Sequence, residues 1–186
     1  MFRRLKRLHR AYFSKPAGDR VLYRTAPKMP AVSILEIGVG DGIRTQRLLK
    51  HVLTTPEVDS IRYTGIDLFE MREDESGIPL REAHRLLRQD GSRIQLVPGD
   101  PFTALARIAN TLPDTDLVLI SFDQDAESLA RSWFYLPRML HDKSVVLVES
   151  IVESKDVEGP IESTYRVMPR AEIDQLAMPP RMRRAA

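Results

Sequence analysis

The sequence predicts an α/β fold, a three-layer sandwich around a mostly parallel central sheet. Three observations predict it. Apolar runs of strand length recur along the chain and alternate with stretches whose apolar residues fall at helical spacing. The run at residues 32–37 is apolar on both faces, as a strand covered by helices on two sides must be, and further strand-length runs fall at 61–68, 93–100, 116–123 and 144–148. Each run ends on acid or glycine: Glu36 with Gly38, then Asp67, Asp100, Asp123 and Glu149. Right-handed crossovers bring such ends to one edge, the edge where open α/β sheets bind ligands.

Bulk properties narrow the function classes. A chain of 186 residues, 42% apolar, suits one core. No apolar run approaches the roughly 18 residues of a membrane-spanning helix. The chain has no cysteine, which excludes disulfides, thiolate zinc sites and a cysteine nucleophile. It also suits a reducing compartment, so a cytoplasmic location is expected. The net charge of +2 is unevenly placed. Residues 1–28 carry nine Lys/Arg against Asp19, or +8, which leaves −6 for the remainder. The expected division is a basic helical arm and linker over 1–30, the sheet domain over 31–178, and a disordered tail over 179–186.

Residues 1–14 read as a short amphipathic helix. Phe2, Leu5, Leu8 and Tyr12 share one side, and Arg3, Arg4, Lys6, Arg7 and Arg10 surround it. It lacks the apolar segment of a secretory signal. Three roles stay open: packing on the sheet or over a cleft, contact with phosphate or an anionic surface, and organellar targeting. Pro16, Gly18, Pro27 and Pro30 mark the approach to the first strand.

The stretch from Ala31 to Thr45, AVSILEIGVGDGIRT, carries the strongest signal. A buried strand runs through Glu36 into Gly38, Gly40 and Gly42. A helix follows with Leu48, Leu49, Val52 and Leu53 on one side. Glycine lets a backbone reach positive φ and approach a ligand closely. Strand, glycine turn and helix make a Rossmann-like nucleotide site, but the third glycine comes one residue early for the dinucleotide fingerprint G-x-G-x-x-G.

The second strand, 61–68, closes on Asp67, where sheets of this kind hydrogen-bond ribose hydroxyls. Residues 70–77, EMREDESG, bury almost nothing and predict an exposed loop. A helix over 79–89 has Leu80, Ala83 and Leu87 inward, with His84 bordering that stripe as a packing histidine. The third strand, 93–100, ends at Asp100, an N-cap candidate, before Pro101. The next helix sets Phe102, Leu105, Ala106, Ala109 and Leu112 inward. The fourth strand, 116–123, delivers Asp123, Gln124 and Asp125. A helix from 126 to about 140 follows, with Leu129, Trp133, Phe134 and Leu140 as its apolar content and Pro137 tightening its last turn. The fifth strand, 144–148, ends at Glu149. The pattern amounts to five βα repeats, then a candidate strand at 163–168 and a short helix at 171–178.

Glu36-Ile-Gly38-Val-Gly40-Asp-Gly42 resembles the first motif of the class I S-adenosylmethionine-dependent methyltransferases, and Asp67, Asp100 and Asp123 match its later strand ends in order. The resemblance covers residues 31–150. It implies S-adenosyl-L-methionine as cofactor, with Glu36, Gly38, Gly40 and Gly42 around the methionine moiety. It also implies Asp67 and Leu68 at the ribose, Asp100 with Pro101 or Phe102 at the adenine, and Asp123 beside the reacting end. Asp123 and Asp125 stand where a general base or acceptor-orienting group is needed. The region 120–150 is also similar to small-molecule O-methyltransferases of the catechol type. In those, acids ending strands 4 and 5 hold a divalent cation; here the strand-5 pair is Glu149-Ser150, so a metal is possible but not favoured. The expected activity is methyl transfer to a small-molecule acceptor, at oxygen. The alternatives are a non-catalytic S-adenosylmethionine-binding module acting through its basic arm and an aminopropyltransferase-like enzyme.

Overall fold

The computed structural model describes residues 9, 11–14, 17–28, 30–73, 77–152 and 162–179. Most of the basic segment at 1–14 and the tail beyond 179 lie outside them. Six strands form one sheet: β1 (Ala31–Ile37), β2 (Ser60–Asp67), β3 (Ser92–Pro98), β4 (Thr115–Ile120), β5 (Leu140–Val152) and β6 (Glu162–Val167). Their order is β3-β2-β1-β4-β5-β6, the first five in sequence parallel and β6 antiparallel to β5. The chain works outward from β1 to β3, then returns to the other side of β1 with β4. The change of direction opens a crevice beyond the carboxyl ends of β1 and β4.

Alternation along β1 feeds two cores. Val32 and Ile34 pack beneath α1 (Asp19–Thr25), α2 (Ile43–Leu53) and α3 (Leu80–Leu87), with Leu22, Leu48, Leu49, Ala83 and Leu87. Leu35 and Ile37 pack on the opposite face beneath α4 (Pro101–Ile108), α5 (Ala126–Ser132) and α6 (Arg170–Ala177), with Leu105, Leu136, Met139 and Ile173 and with Leu129 at the margin. Helix α1, inside the stretch expected to be arm and linker, therefore belongs to the first core.

Several expected faces are corrected. On α4 the buried set is Pro101, Ala104, Leu105 and Ile108, an i, i+3, i+4, i+7 stripe, while Ala106 is exposed and Phe102 half-buried. The α-helical turns after Asp125 end at Ser132, and Trp133–Met139 continues as a 3₁₀ helix around Pro137. Three residues per turn put Trp133, Leu136 and Met139 on one buried face, so Phe134 turns outward. His84 is exposed rather than packed. Ala11, not Tyr12, is buried against the first core. Strand β5 extends to thirteen residues: Leu140 pairs with Thr115 of β4 at its start, and β6 pairs along its carboxyl half, Leu147 opposite Val167 through Val152 opposite Glu162. The fifth strand thus pairs with an antiparallel neighbour instead of entering a fifth βα repeat. Among the described residues β6 is the sheet's last strand.

Candidate functional site

The carboxyl edge of the sheet begins with the glycine turn. Gly38, Gly40 and Gly42 take φ of 92°, 61° and 72°, a region costly to residues with a Cβ. The turn is anchored by Gly38 N–H to Ile66 O at 2.8 Å and by Gly42 N–H to Val39 O at 3.1 Å. The three glycines have different surroundings. A Cβ at Gly38 would strike the Gln124 amide and Ser121 Cβ, and one at Gly42 would lie 2.9 Å from Leu86 of α3. At Gly40 nothing lies within 4 Å. Gly38 and Gly42 are therefore demanded by packing, and Gly40 alone faces open space.

Glu36 sits under α2 and is fully buried. Its Oε1 accepts Arg44 Nε at 3.0 Å and Nη2 at 2.7 Å; its Oε2 accepts Thr45 Oγ1 and Tyr63 OH, both at 2.6 Å. All four of these donors belong to the chain itself. Burial, reinforced by the Glu36 charge, pushes the Tyr63 phenol well above its ordinary range, so it donates. Arg44 reaches further. Its Nη2 donates to Gly38 O at 2.7 Å, and its Nη1 donates to Glu149 Oε2 at 2.8 Å and to Tyr165 OH at 3.1 Å. Glu149, buried within β5 where it pairs with β6, also accepts Ser121 Oγ at 2.9 Å and Tyr165 OH at 3.1 Å. It is turned to Arg44 rather than toward Asp123. Among the described residues no group of three or more His, Asp or Glu is placed to hold a metal ion.

A second arginine organises the next cluster. Arg72 lies just beyond the 3₁₀ turn Phe69–Met71, within the loop expected to be exposed, yet its side chain is only 12% exposed. It grips Asp67 with both arms, Nε to Oδ1 and Nη2 to Oδ2 at 2.8 Å each, and holds Asp123 Oδ2 through Nη1 at 2.6 Å. Asp67 also accepts Gly40 N–H at 2.8 Å and Phe69 N–H at 3.0 Å. Burial raises the Asp67 pKa, but Arg72 and the two backbone donors outweigh it and hold the carboxyl below its usual range. Asp123 is held low in the same way, burial being overcome by Arg72 and Gln124. It stands past the end of β4, which stops at Ile120.

Asp100 caps α4. Its Oδ1 accepts Phe102 N–H at 3.0 Å, Thr103 N–H at 3.2 Å and Ser128 Oγ, and its Oδ2 accepts Thr103 Oγ1 at 2.5 Å. These donors outweigh desolvation and lower its pKa to about 2. Pro101 is buried in the first turn of α4, and Phe102 carries the Arg131 guanidinium 3.7 Å above its ring centroid. Asp125, the other residue expected to act on the acceptor, caps α5 by accepting Ser128 N–H at 2.7 Å. Leu68 is 38% exposed beside Asp67.

The edge therefore links Gly40, Asp67 and Asp123 through the Gly40–Asp67 bond and Arg72, with Leu68 exposed beside Asp67, Asp100 capping the neighbouring helix and Glu36 beneath α2. Asp67 and Asp123 there meet one guanidinium, Arg72, for a net charge of −1, while Glu36 and Glu149 share Arg44 within the fold. Arg44, Arg72, Tyr63 and Tyr165 are the members the sequence did not announce. No motif marks them; the one available signal was that a strand-end acid buried in a sheet needs a partner.

No family model matches the chain, and no curated protein matches its sequence. Solved structures do match. A precorrin-6y C5,15-methyltransferase from Geobacter metallireducens is 15% identical with a TM-score of 0.51, over 73% of this chain and 62% of that one. A precorrin 8W decarboxylase from Methanobacterium thermoautotrophicum is 16% identical, TM-score 0.51, over 75% and 65%. MNMC2 from Aquifex aeolicus is 14% identical, TM-score 0.51, over 92% and 66%. The alignments span less than two thirds of the length of each of those chains. Together with the strand order and the glycine turn, these likenesses give the chain the fold of the class I S-adenosylmethionine-dependent methyltransferases.

Proposed function

We propose that the chain binds S-adenosyl-L-methionine at the carboxyl edge of its sheet and serves methyl transfer to an oxygen of a small-molecule acceptor. The observation that carries this is Gly40: a glycine at φ 61° with open space above it, tied to Asp67 by a 2.8 Å hydrogen bond. Glycine backbone and ribose-type acid thus stand side by side. The net −1 of Asp67, Asp123 and Arg72 suits a ligand that carries an ammonium and a sulfonium. When bound, that cofactor supplies a methyl group already activated for displacement.

The residues around it bind and orient. Gly40 lets the ligand come against bare backbone. Asp67 supports the ribose hydroxyls, and Leu68 supplies an apolar neighbour. Asp100, already a cap, stands at the adenine end. Asp123 is ionised and held low by Arg72, so it is a weak base and a strong orienting charge. Its part is to align the acceptor, and alignment supplies much of the acceleration in a displacement of this kind. A second reading, a ligand-binding module without catalysis, is favoured by one observation: Asp67, Asp100 and Asp123 all have partners within the chain.

Calorimetric titration tests the cofactor assignment. S-adenosylhomocysteine and S-adenosylmethionine bind at micromolar level and NAD does not; no heat with either sulfur ligand, from the unmodified chain and from Arg72→Ala and Arg72→Lys alike, overturns the proposal. A radiolabelled methyl group recovered in a small-molecule acceptor separates the enzyme from the binding module.

A further inference from the structure

The carboxylate assigned to the ribose is already fully engaged. An ionised aspartate offers about four acceptor positions. In Asp67 the backbone fills two, through Gly40 N–H on Oδ2 and Phe69 N–H on Oδ1. Arg72 fills the other two with a fork of parallel donors at 2.8 Å. The backbone donors belong to the fold. The fork is a side chain, and it presents two donors side by side, as the two hydroxyls of a ribose do.

We propose that Arg72 is an internal competitor for the ribose diol, a specificity-determining residue that a ligand must displace from Asp67 with two donors of its own. The inference rests on the cofactor assignment made above. Asp123 gives the displaced guanidinium a place to stay, since it already holds Nη1 at 2.6 Å. Exchange therefore needs a swing of the side chain about Asp123, not expulsion of the charge into water.

The surrounding backbone keeps Arg72 in place. Phe69 adopts φ 54°, uncommon for a residue with a side chain. Gly77 has no room for a Cβ because the Phe69 carbonyl lies against it, and Glu70 Oε2 accepts Leu80 N–H at 2.8 Å at the start of α3. These contacts set the loop on both sides of Arg72 and aim its guanidinium at the acid pair.

The test is calorimetry of S-adenosylhomocysteine with the full chain and with Arg72→Ala and Arg72→Lys. Removing the competitor tightens binding: about tenfold for Ala, the loss of one charge-assisted contact's worth of competition, and about threefold for Lys, which keeps the charge but offers no fork. Methylguanidinium at millimolar level reverses the gain in Arg72→Ala and leaves the unmodified chain unaffected. A merely structural arginine would yield looser binding and no such reversal. If the unmodified chain binds and the variants bind equally or more weakly, the competitor role is overturned while the cofactor assignment stands. If neither the unmodified chain nor either variant binds, the cofactor assignment falls and the inference with it. Binding by the variants alone upholds both. Should Arg72→Ala fail to fold, Arg72→Lys and its threefold gain decide the matter.

Discussion

Replacing Arg44 by methionine is the sharpest test of how the sheet edge is held together. All five N–H donors of the guanidinium are used, on Glu36, Gly38 O, Glu149 and Tyr165. Methionine fills similar volume but leaves Glu36 and Glu149 without their shared cation in a buried setting. Breaking one side of a buried ion pair costs about 3–5 kcal/mol. Arg44 keeps 18% of its side chain exposed, and water entering there places the cost near the lower end, about 3 kcal/mol. At about 2–4 °C per kcal/mol for a chain of this size, thermal unfolding followed by circular dichroism at pH 7 shifts down by about 6–12 °C. The double variant Glu36→Gln/Arg44→Met recovers part of the loss, because one of the stranded charges is gone and the two substitutions are coupled. A melting temperature within about 2 °C of the unmodified chain would refute the claim that Arg44 neutralises both acids.

Three further outcomes follow from the same geometry. Gly40→Ala costs about 1–2 kcal/mol of backbone strain alone, whereas Gly38→Ala adds a collision with Gln124 and Ser121 and costs at least about 1 kcal/mol more. Urea unfolding ranks the two, and equal costs would contradict the placement of the open space. Asp67, Asp100 and Asp123 all have folded-state pKa values below the ordinary range. Their stabilisation is therefore complete above the unfolded value of about 4 and is lost as pH falls through the folded values, about 2 for Asp100. Asp100→Asn flattens that acid limb, and an unaltered limb counts against the depression. Asp67→Asn weakens S-adenosylhomocysteine by about 1–3 kcal/mol in calorimetry; unchanged affinity rejects the ribose role.

The layout of the sheet was legible because its signals are local. Each parallel strand is a short apolar run bounded by acid or glycine, and the placement of 31–37, 60–67, 92–98 and 115–120 departs from expectation by a residue or two, save at the carboxyl end of β4. Helix faces were less legible where a helix changes type. Trp133, Leu136 and Met139 share a face only because the chain tightens to three residues per turn before Pro137, and an α-helical count chooses Phe134 instead. The carboxyl extension of β5 was hidden because it pairs with β6, a partner distant in sequence. The loop at 70–77 read as solvated because its composition is charged, but composition does not say where a guanidinium points, and Arg72 points inward to two carboxylates.

A buried or half-buried acid at a strand end must be neutralised by something. A cationic ligand and an arginine of the same chain satisfy that requirement equally well, and the acid's position in sequence is identical in the two cases. Glu36 shows one outcome: sealed under α2 with Arg44, Thr45 and Tyr63, it has no acceptor position left for a ligand. Asp67 stands between the outcomes. Two of its bonds are backbone and permanent, two are to a side chain that has a second carboxylate, Asp123, within reach. A strand-end acid identifies where charge must be balanced; only the mobility of its partner decides whether a ligand can take over the task. At Glu36 the partner is fixed by three other contacts, to Gly38 O, Glu149 and Tyr165, and at Asp67 it is fixed by one, to Asp123, so the proposed site is the one at Asp67, Gly40 and Asp123.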